Sequence, residues 1–122
     1  MLIIRKEQIK VLRQYMEKQF EDKIYIHLQK FFPTKYESLG ETETGKLISK
    51  GIKQASEYEI KSERDVCKFI DLMFVLGENF DKDPSINWAS EILSDESIKS
   101  PSIRIKTLCD RAFKYQQERN TQ

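Results

Sequence analysis

The segment from Ser62 to Gly77 constrains the fold of this chain more than any other stretch. Ser62 is a residue type common at helix N-caps, and Asp65 stands where a side chain can complete a capping box. The residues that follow become apolar on nearly every side, and Gly77 stands where a helix C-cap is expected. A helix with so wide an apolar surface is stable only inside a core. We therefore predict a central buried helix from Glu63 to Gly77.

A second helical pattern occupies the start of the chain, from Lys6 to Phe31. Its apolar residues follow one another at steps of three and four, and no glycine or proline interrupts them. Pro33 ends the pattern because a proline disfavours helical dihedrals in the residue before it. Such a helix would be roughly 40 Å long, so it extends beyond the core of a small domain or breaks near its middle. We expect one face of this helix to pack against the rest of the domain and the other face to be exposed to solvent. The apolar positions are Ile9, Leu12, Met16, Phe20, Ile24, Leu28 and Phe31.

The remaining patterns are also helical, and no alternating strand pattern competes with them. They predict a short turn over residues 33–39 closed by Gly40, a helix over about 42–58 and a short helix over about 85–94. They also predict a last helix from Pro101, with Phe113 in its apolar stripe, that frays from Tyr115 onward. Gly51 lies on the apolar side of its helix, where it allows a close approach of a neighbouring helix. We predict one all-α domain over residues 1–122, with five or six helices and a long N-terminal helix.

Composition restricts the class of protein. Hydrophobic residues make up 39% of the chain and charged residues 34%, which is typical of a soluble globular protein. No apolar run reaches the length of about 18 residues that spans a membrane, and the opening MLIIRKEQ has too few apolar residues for a signal peptide. We therefore expect a cytoplasmic protein without a membrane partner. In that reducing compartment Cys67 and Cys109 should be free, buried thiols.

The sequence contains no recognisable motif for catalysis or metal binding. The chain has a single histidine, His27, which lies at the edge of the apolar face of the first helix and is expected to be packed or half-exposed. Two cysteines are too few for a structural zinc site unless His27 and a carboxylate join them. The four glycines form no phosphate-binding loop. We expect no catalytic residue, no metal and no cofactor, and we predict that the protein is not an enzyme. Carboxylates brought together by the fold are the remaining alternative.

An acidic turn after the central helix resembles half of a calcium loop. The oxygen-bearing residues with this spacing are Asp81, Asp83, Ser85 and Asn87. Ile86 and Ile92 stand where an EF-hand needs a glycine and a bidentate glutamate, so calcium binding is not expected. The turn is better explained as caps for the following helix, which contains the only tryptophan, Trp88. That side chain is either a core anchor or an interface residue.

Charge is unevenly distributed along the chain. The net charge is +1, but residues 62–98 hold nine acidic and three basic residues, a net charge of −6, and residues 99–122 hold six basic and two acidic residues, a net charge of +4. Either the flanks neutralise the middle within the fold, or the middle is an acidic surface for a basic partner. A nucleic-acid-binding domain normally has a basic excess, so nucleic acid is the less favoured partner.

Several short stretches form a recognisable pattern. They are MLIIRKEQ at the start, Glu57-Tyr58, Ile60–Val66, Leu72–Phe74, Gly77, Phe80-Asp81, Asp83-Pro84 and Trp88-Ala89. The pattern resembles small bacterial helical proteins, without assigned catalytic residues, that are encoded beside type VI secretion effector and toxin genes. It covers the whole chain and is concentrated in residues 57–93, and Glu59 departs from it because a glycine is expected there. The resemblance implies a protein partner, a toxin or an effector, rather than a small-molecule substrate.

Together these observations predict a non-enzymatic protein-binding accessory that holds a cognate secreted effector as a chaperone or adaptor. The alternatives are a cytoplasmic immunity protein that neutralises a cognate toxin and a nucleic-acid-binding regulator. A homodimer formed through the first helix would compete for the same apolar surface. The predicted partner-binding residues are Leu2, Ile3 and Ile4 as an apolar patch, and Asp81, Asp83, Trp88 and Glu91 as an exposed acidic surface.

Overall fold

The computed structural model describes residues 5–120, and in this range it contains five α-helices, two short 3₁₀ turns and no strand. The helices are α1 (Lys6–Phe31), α2 (Pro33–Glu57), α3 (Glu63–Leu76), α4 (Asn87–Leu93) and α5 (Pro101–Asn120), and the 3₁₀ turns are Phe80–Lys82 and Pro84–Ile86. The prediction of an all-α fold with a long N-terminal helix is confirmed. Over the described range, no helix combines the length and the apolar character needed to cross a membrane.

The internal contacts group the chain into two units, Met1–Gly45 and Lys46–Gln122. Unit 1 contains α1 and the beginning of α2, and unit 2 contains the rest of α2 with α3, α4 and α5. This grouping does not decide whether residues 1–122 behave as one domain, so that expectation stays a prediction.

Unit 1 is dominated by α1, which begins and ends where the sequence predicts. At the N-terminal end of α1, Gln8 Oε1 accepts a hydrogen bond from the Arg5 N–H at 2.9 Å and so caps the helix. Only Ile24 and Leu28 of this helix are buried, and every residue from 5 to 19 is exposed. The helix is unbroken and its first half lies outside the core, which is the first of the two predicted alternatives; the predicted packed face is present only in the second half. Helical periodicity creates an amphipathic face, but it does not supply the element that covers it.

The start of α2 is bent by Gly40, which has φ 83° and ψ 166° and interrupts the helix. This agrees with the predicted short helical turn closed by that glycine. The Tyr25 hydroxyl of α1 donates a hydrogen bond to the Glu41 carbonyl at 3.2 Å, just after the bend. The same hydroxyl lies against Gly45, where a Cβ atom would collide with it. Within unit 1, Tyr25 therefore links α1 to the start of α2, and its position requires a small residue at Gly45.

Unit 2 is built around α3, as predicted. Ser62 Oγ accepts a hydrogen bond from the Asp65 N–H at 3.2 Å, and Gly77 ends the helix at φ 122°. The Asp65 carboxylate accepts a hydrogen bond from Ser102 Oγ of α5 at 2.5 Å, so this cap also links two helices. The buried residues of α3 are Asp65, Val66, Phe69, Ile70, Leu72, Met73 and Phe74.

A close approach between α2 and α3 occurs at Gly51, which is buried. A Cβ atom at this position would lie 2.6 Å from Ile70 Cγ1 and 2.9 Å from Met73 Sδ. Both distances are shorter than van der Waals contact between heavy atoms, about 3.5–4.0 Å. The predicted role of this glycine is confirmed.

The C-terminal helix α5 departs from two expectations. It continues to Asn120 instead of fraying from Tyr115, and the Tyr115 ring contacts Trp88 of α4. Phe113 was expected in the apolar stripe but is 66% exposed. The connection from α4 is held by Arg104, whose Nη2 donates to the carbonyl oxygens of Asp95 and Ile98 at 3.2 and 2.7 Å.

Candidate functional site

The predicted acidic surface is divided by the fold. Asp81 is only 1% exposed, and its Oδ2 accepts a hydrogen bond from the Tyr58 hydroxyl at 2.8 Å. The expectation that Asp81 lies on an exposed surface is therefore wrong. Its carboxylate serves a contact between the end of α2 and the first 3₁₀ turn, a role that the sequence spacing did not reveal.

Asp83 makes the predicted turn hydrogen bonds, but it caps the second 3₁₀ turn and not α4, whose N-cap residue Ile86 makes no side-chain capping hydrogen bond. Its Oδ1 accepts hydrogen bonds from the Ser85 N–H at 2.9 Å and from Ser85 Oγ at 2.7 Å. These hydrogen bonds lower the pKa of the Asp83 carboxyl, because they stabilise its charged form. Both hydrogen bonds come from Ser85, two residues along the chain, so Asp83 orders the 3₁₀ turn that precedes α4.

A lysine holds the chain between α3 and the first 3₁₀ turn. Lys50 Nζ lies 2.9 Å from Glu78 Oε1 and 2.8 Å from Asn79 Oδ1. Because the Lys50 and Glu78 side chains are 35% and 51% exposed, this ion pair contributes at most about 1 kcal/mol. Its main consequence is positional, since it fixes the segment that leads to Asp81.

A cluster of aromatic and guanidinium side chains lies on α4 and α5, and it consists of Trp88, Arg111, Tyr115 and Arg119. The Trp88 and Tyr115 ring centroids are 5.6 Å apart, with an interplanar angle of 54°. The Arg111 guanidinium carbon lies 4.7 Å from the Trp88 ring centroid, and that of Arg119 lies 5.6 Å from the Tyr115 ring centroid. We call these four residues the Trp88 cluster.

The Trp88 cluster is only partly covered. Trp88, Arg111 and Tyr115 are half-buried, and Arg119 is exposed. Sequence reasoning identified Trp88 but missed its three partners. Their spacing was a usable signal, because residues 111, 115 and 119 are four apart and follow one side of a helix. The sequence did not show that this side of α5 packs against α4.

The other predicted partner-binding residues are placed as follows. Glu91 is exposed on α4, three positions after Trp88, so the two occupy neighbouring positions on the helix. Asp83 lies in the turn before that helix. Leu2, Ile3 and Ile4 lie outside the described residues. The structure therefore brings Trp88 and Glu91 together on one element.

A second exposed surface lies in unit 1, on the first half of α1. Ile9 is 44% exposed, Leu12 53%, Tyr15 59% and Met16 60%. We call these four residues the α1 face. Two shallow grooves lie along this part of the helix. One is lined by Glu7, Gln8, Val11, Leu12 and Tyr15, and the other by Ile9, Leu12, Arg13, Met16 and Glu17.

The two cysteines of unit 2 are free thiols in α3 and α5. Burial, followed by the charge of Asp71, raises the pKa of Cys67 to about 11. Burial is also the largest cause of the raised pKa of Cys109. Because the thiolate is the reactive form, both side chains are poor nucleophiles near neutral pH.

Comparisons of the chain with protein-family models, with curated proteins and with solved structures give no match. The assignment of a function therefore rests on the geometry of the described residues and on the resemblance noted from the sequence.

Proposed function

We propose that this protein is a non-enzymatic accessory that binds a cognate secreted effector, as a chaperone or adaptor before export. The Trp88 cluster is the docking surface in this proposal. The observation that carries it is the position of the Arg111 guanidinium over the Trp88 ring and the tilted contact between the Trp88 and Tyr115 rings, with all three side chains only half-buried. Tryptophan, tyrosine and arginine are the residue types that most often dominate the binding energy of protein interfaces.

The cluster is ordered before any partner arrives. The Tyr115 ring packs against the Trp88 ring at a tilt, and Arg111 lies over the Trp88 ring from the adjacent turn of α5. Side chains that are already fixed lose little conformational entropy on binding, and each immobilised flexible side chain otherwise costs about 0.5–1.5 kcal/mol. The arrangement therefore favours a specific partner over nonspecific adhesion.

The chemistry of the partner follows from the surroundings of the cluster. Glu91 is exposed near Trp88, whereas Arg111 and Arg119 are occupied in part by stacking on aromatic rings. A partner with an apolar pocket for Trp88 and a basic group for Glu91 would complement this surface. The class of partner, a type VI secretion effector or toxin, comes from the sequence resemblance, which includes Trp88-Ala89. The cytoplasmic location belongs to the same proposal.

An immunity protein is the second candidate function. It is favoured by the acidic residues of the segment 62–98 that remain exposed, among them Glu63, Glu91 and Glu96, because they would attract a basic toxin. Both candidates use a protein interface of about 800 Å² per partner. They differ in what happens to the cell when the protein is removed.

The test is affinity capture from the native cell with tagged chain, in wild-type form and as Tyr115→Ala and Arg111→Lys. We expect a specific partner whose recovery falls about tenfold or more in both variants, since lysine keeps the charge of Arg111 but not its planar stacking. Phe113→Ala is the matched control, because Phe113 is an exposed aromatic residue of α5 outside the cluster. Its partner recovery should equal that of the wild type.

Gene deletion then separates the candidates. Loss of effector secretion indicates an adaptor, and self-intoxication indicates an immunity protein. A mobility shift of duplex DNA that weakens steeply with salt would favour a nucleic-acid-binding regulator instead. If no specific protein is recovered and secretion and viability are unchanged, both the adaptor function and the immunity function are excluded.

A further inference from the structure

We propose that the α1 face is the contact surface for a second copy of this chain, and that the two copies pair through a short parallel coiled coil over residues 8–20. This self-association lies in unit 1 and goes beyond the proposed function, which uses the Trp88 cluster of unit 2. It is carried by the exposure, the spacing and the charges of the α1 residues.

The exposed apolar area is the first observation. Exposures of 44–60% at Ile9, Leu12, Tyr15 and Met16 amount to about 500 Å² of accessible surface. This lies in the upper part of the range of about 300–600 Å² for the largest apolar patch of a typical monomer, and such a patch is often functional. Two such faces, with the polar residues that flank them, reach the lower end of specific interfaces, about 1,200 Å² in total. The area is therefore large enough for a specific contact between two copies.

The spacing of the residues fits a two-stranded coiled coil. With Ile9 at position a of a heptad, Leu12 falls at position d and Met16 at the next position a. A β-branched residue at a, followed by leucine at d, favours pairs of helices over larger bundles. Gln19 at the next d position and Lys23 at the next a position end the apolar seam. The seam is thus limited to the part of α1 that is exposed.

The charges beside the seam select the parallel orientation. In a parallel pair, Gln8 at position g lies beside Arg13 at position e of the other copy, and Tyr15 lies beside Phe20. These pairs contain no like charges. In an antiparallel pair, e positions face each other, so Arg13 would lie beside Arg13 or Lys6 of the other copy. That repulsion disfavours the antiparallel arrangement.

Val11 distinguishes this seam from a generally adhesive helix. It is 64% exposed and apolar, yet it falls at position c, outside the contact between two helices. A lipid surface or a broad groove in another protein would use Val11 together with Leu12. A coiled coil would leave it in water.

The association is tested by sedimentation velocity of the full chain between about 5 and 200 µM, a range that covers micromolar dissociation constants. We expect a concentration-dependent shift from monomer to dimer. Leu12→Gln and Met16→Gln should each raise the dissociation constant about tenfold or more, whereas Val11→Gln should leave it unchanged. Glutamine is a good helix former, so α1 is retained, and circular dichroism checks this.

The proposal is overturned if the wild type stays monomeric at the highest concentration. It is also overturned if Val11→Gln weakens the dimer as much as Leu12→Gln does, because the contact would then not be a coiled-coil seam. Neither outcome bears on the Trp88 cluster, whose variants are assayed by partner recovery.

Cysteine cross-linking tests the orientation, in a background carrying Cys67→Ser and Cys109→Ser that still forms dimers. In a parallel pair the two copies of Ile9→Cys lie opposite each other, within the Cα separation of about 4.4–6.8 Å that a disulfide requires. Mild oxidation should therefore link Ile9→Cys to itself. In an antiparallel pair, position a faces position d, so Leu12→Cys would instead link to Ile9→Cys or to Met16→Cys. Cross-linking only in a mixture of Leu12→Cys with one of these two variants, or in no sample, would overturn the parallel arrangement.

Discussion

The Tyr58 hydroxyl donates a hydrogen bond to the Asp81 carboxylate at 2.8 Å and thereby ties the end of α2 to the 3₁₀ turn after α3. Asp81 is 1% exposed, so this hydroxyl replaces water as a hydrogen-bond donor to its Oδ2. Burial, and then the hydrogen bond to Asp81, raises the pKa of Tyr58 above its ordinary value of 10.0. The pair holds the turn that leads to α4 and to Trp88.

Removal of this hydroxyl should destabilise the protein. Tyr58→Phe leaves the buried Asp81 oxygen without its donor, and an unsatisfied buried polar group costs about 1–3 kcal/mol. The free energy of unfolding measured by urea titration should fall by this amount. Tyr36→Phe is the control, because Tyr36 is a half-exposed tyrosine of unit 1, and its change should stay within about 0.5 kcal/mol. Equal effects of the two substitutions would contradict the role of the pair.

The same pair predicts a loss of stability at high pH. The folded state raises the pKa of Tyr58, so it favours the protonated hydroxyl. The resulting stabilisation is fully present below the unfolded pKa of about 10 and is lost as the pH rises through the folded value. The free energy of unfolding of the wild type should therefore fall more steeply above about pH 10 than that of Tyr58→Phe. Parallel pH curves for the two proteins would refute this assignment.

The close contact at Gly51 predicts a cost for any larger residue. A valine there would drive its side chain into Ile70 and Met73, whose atoms already lie 2.6 and 2.9 Å from a Cβ position. We expect Gly51→Val to lower the free energy of unfolding by about 1–3 kcal/mol, the usual cost of overpacking a core. Ser49→Val on the exposed side of the same helix controls for the effect of valine on helix stability. A cost at Gly51 no greater than at Ser49 would show that the helices adjust freely.

The core of unit 2 predicts a large effect at Phe74. This side chain is 3% exposed in α3, and Phe74→Ala should cost about 3–5 kcal/mol through lost burial and a residual cavity. Its neighbour Val75 is 40% exposed, so Val75→Ala should change stability by about 0.5 kcal/mol or less. Chemical denaturation followed by circular dichroism measures both. Similar costs at the two positions would mean that α3 is not the central helix.

The thiol of Cys67 should react slowly in the folded protein. With its pKa raised from 9.0 to about 11, the thiolate fraction at pH 8 is smaller by about two orders of magnitude than in the unfolded chain. Alkylation of the Cys109→Ala variant by iodoacetamide should therefore be much slower in buffer than in urea, and its rate should rise with pH beyond pH 9. A rate in buffer equal to that in urea would contradict the burial of this thiol.

The sequence by itself determined the helices and most of their ends. The steps of three and four residues located α1, and Ser62 and Gly77 marked the limits of α3. Gly40 was recognised as a bend and Gly51 as a close approach. These features could be predicted because the interactions that create them act between residues within about one helical turn, or follow from the absence of a side chain.

The tertiary structure decided the contacts between those helices. The Tyr58–Asp81 hydrogen bond joins residues 23 positions apart, and the Ser102–Asp65 hydrogen bond joins residues 37 apart. The pairing of Trp88 with α5 depends on contacts of the same kind, and so does the length of α5. The exposure of the α1 face could not be predicted from the sequence either. An apolar stripe has the same sequence pattern whether it packs within its own chain or against another molecule. Periodicity shows which side of a helix avoids water, and only the fold shows what covers that side.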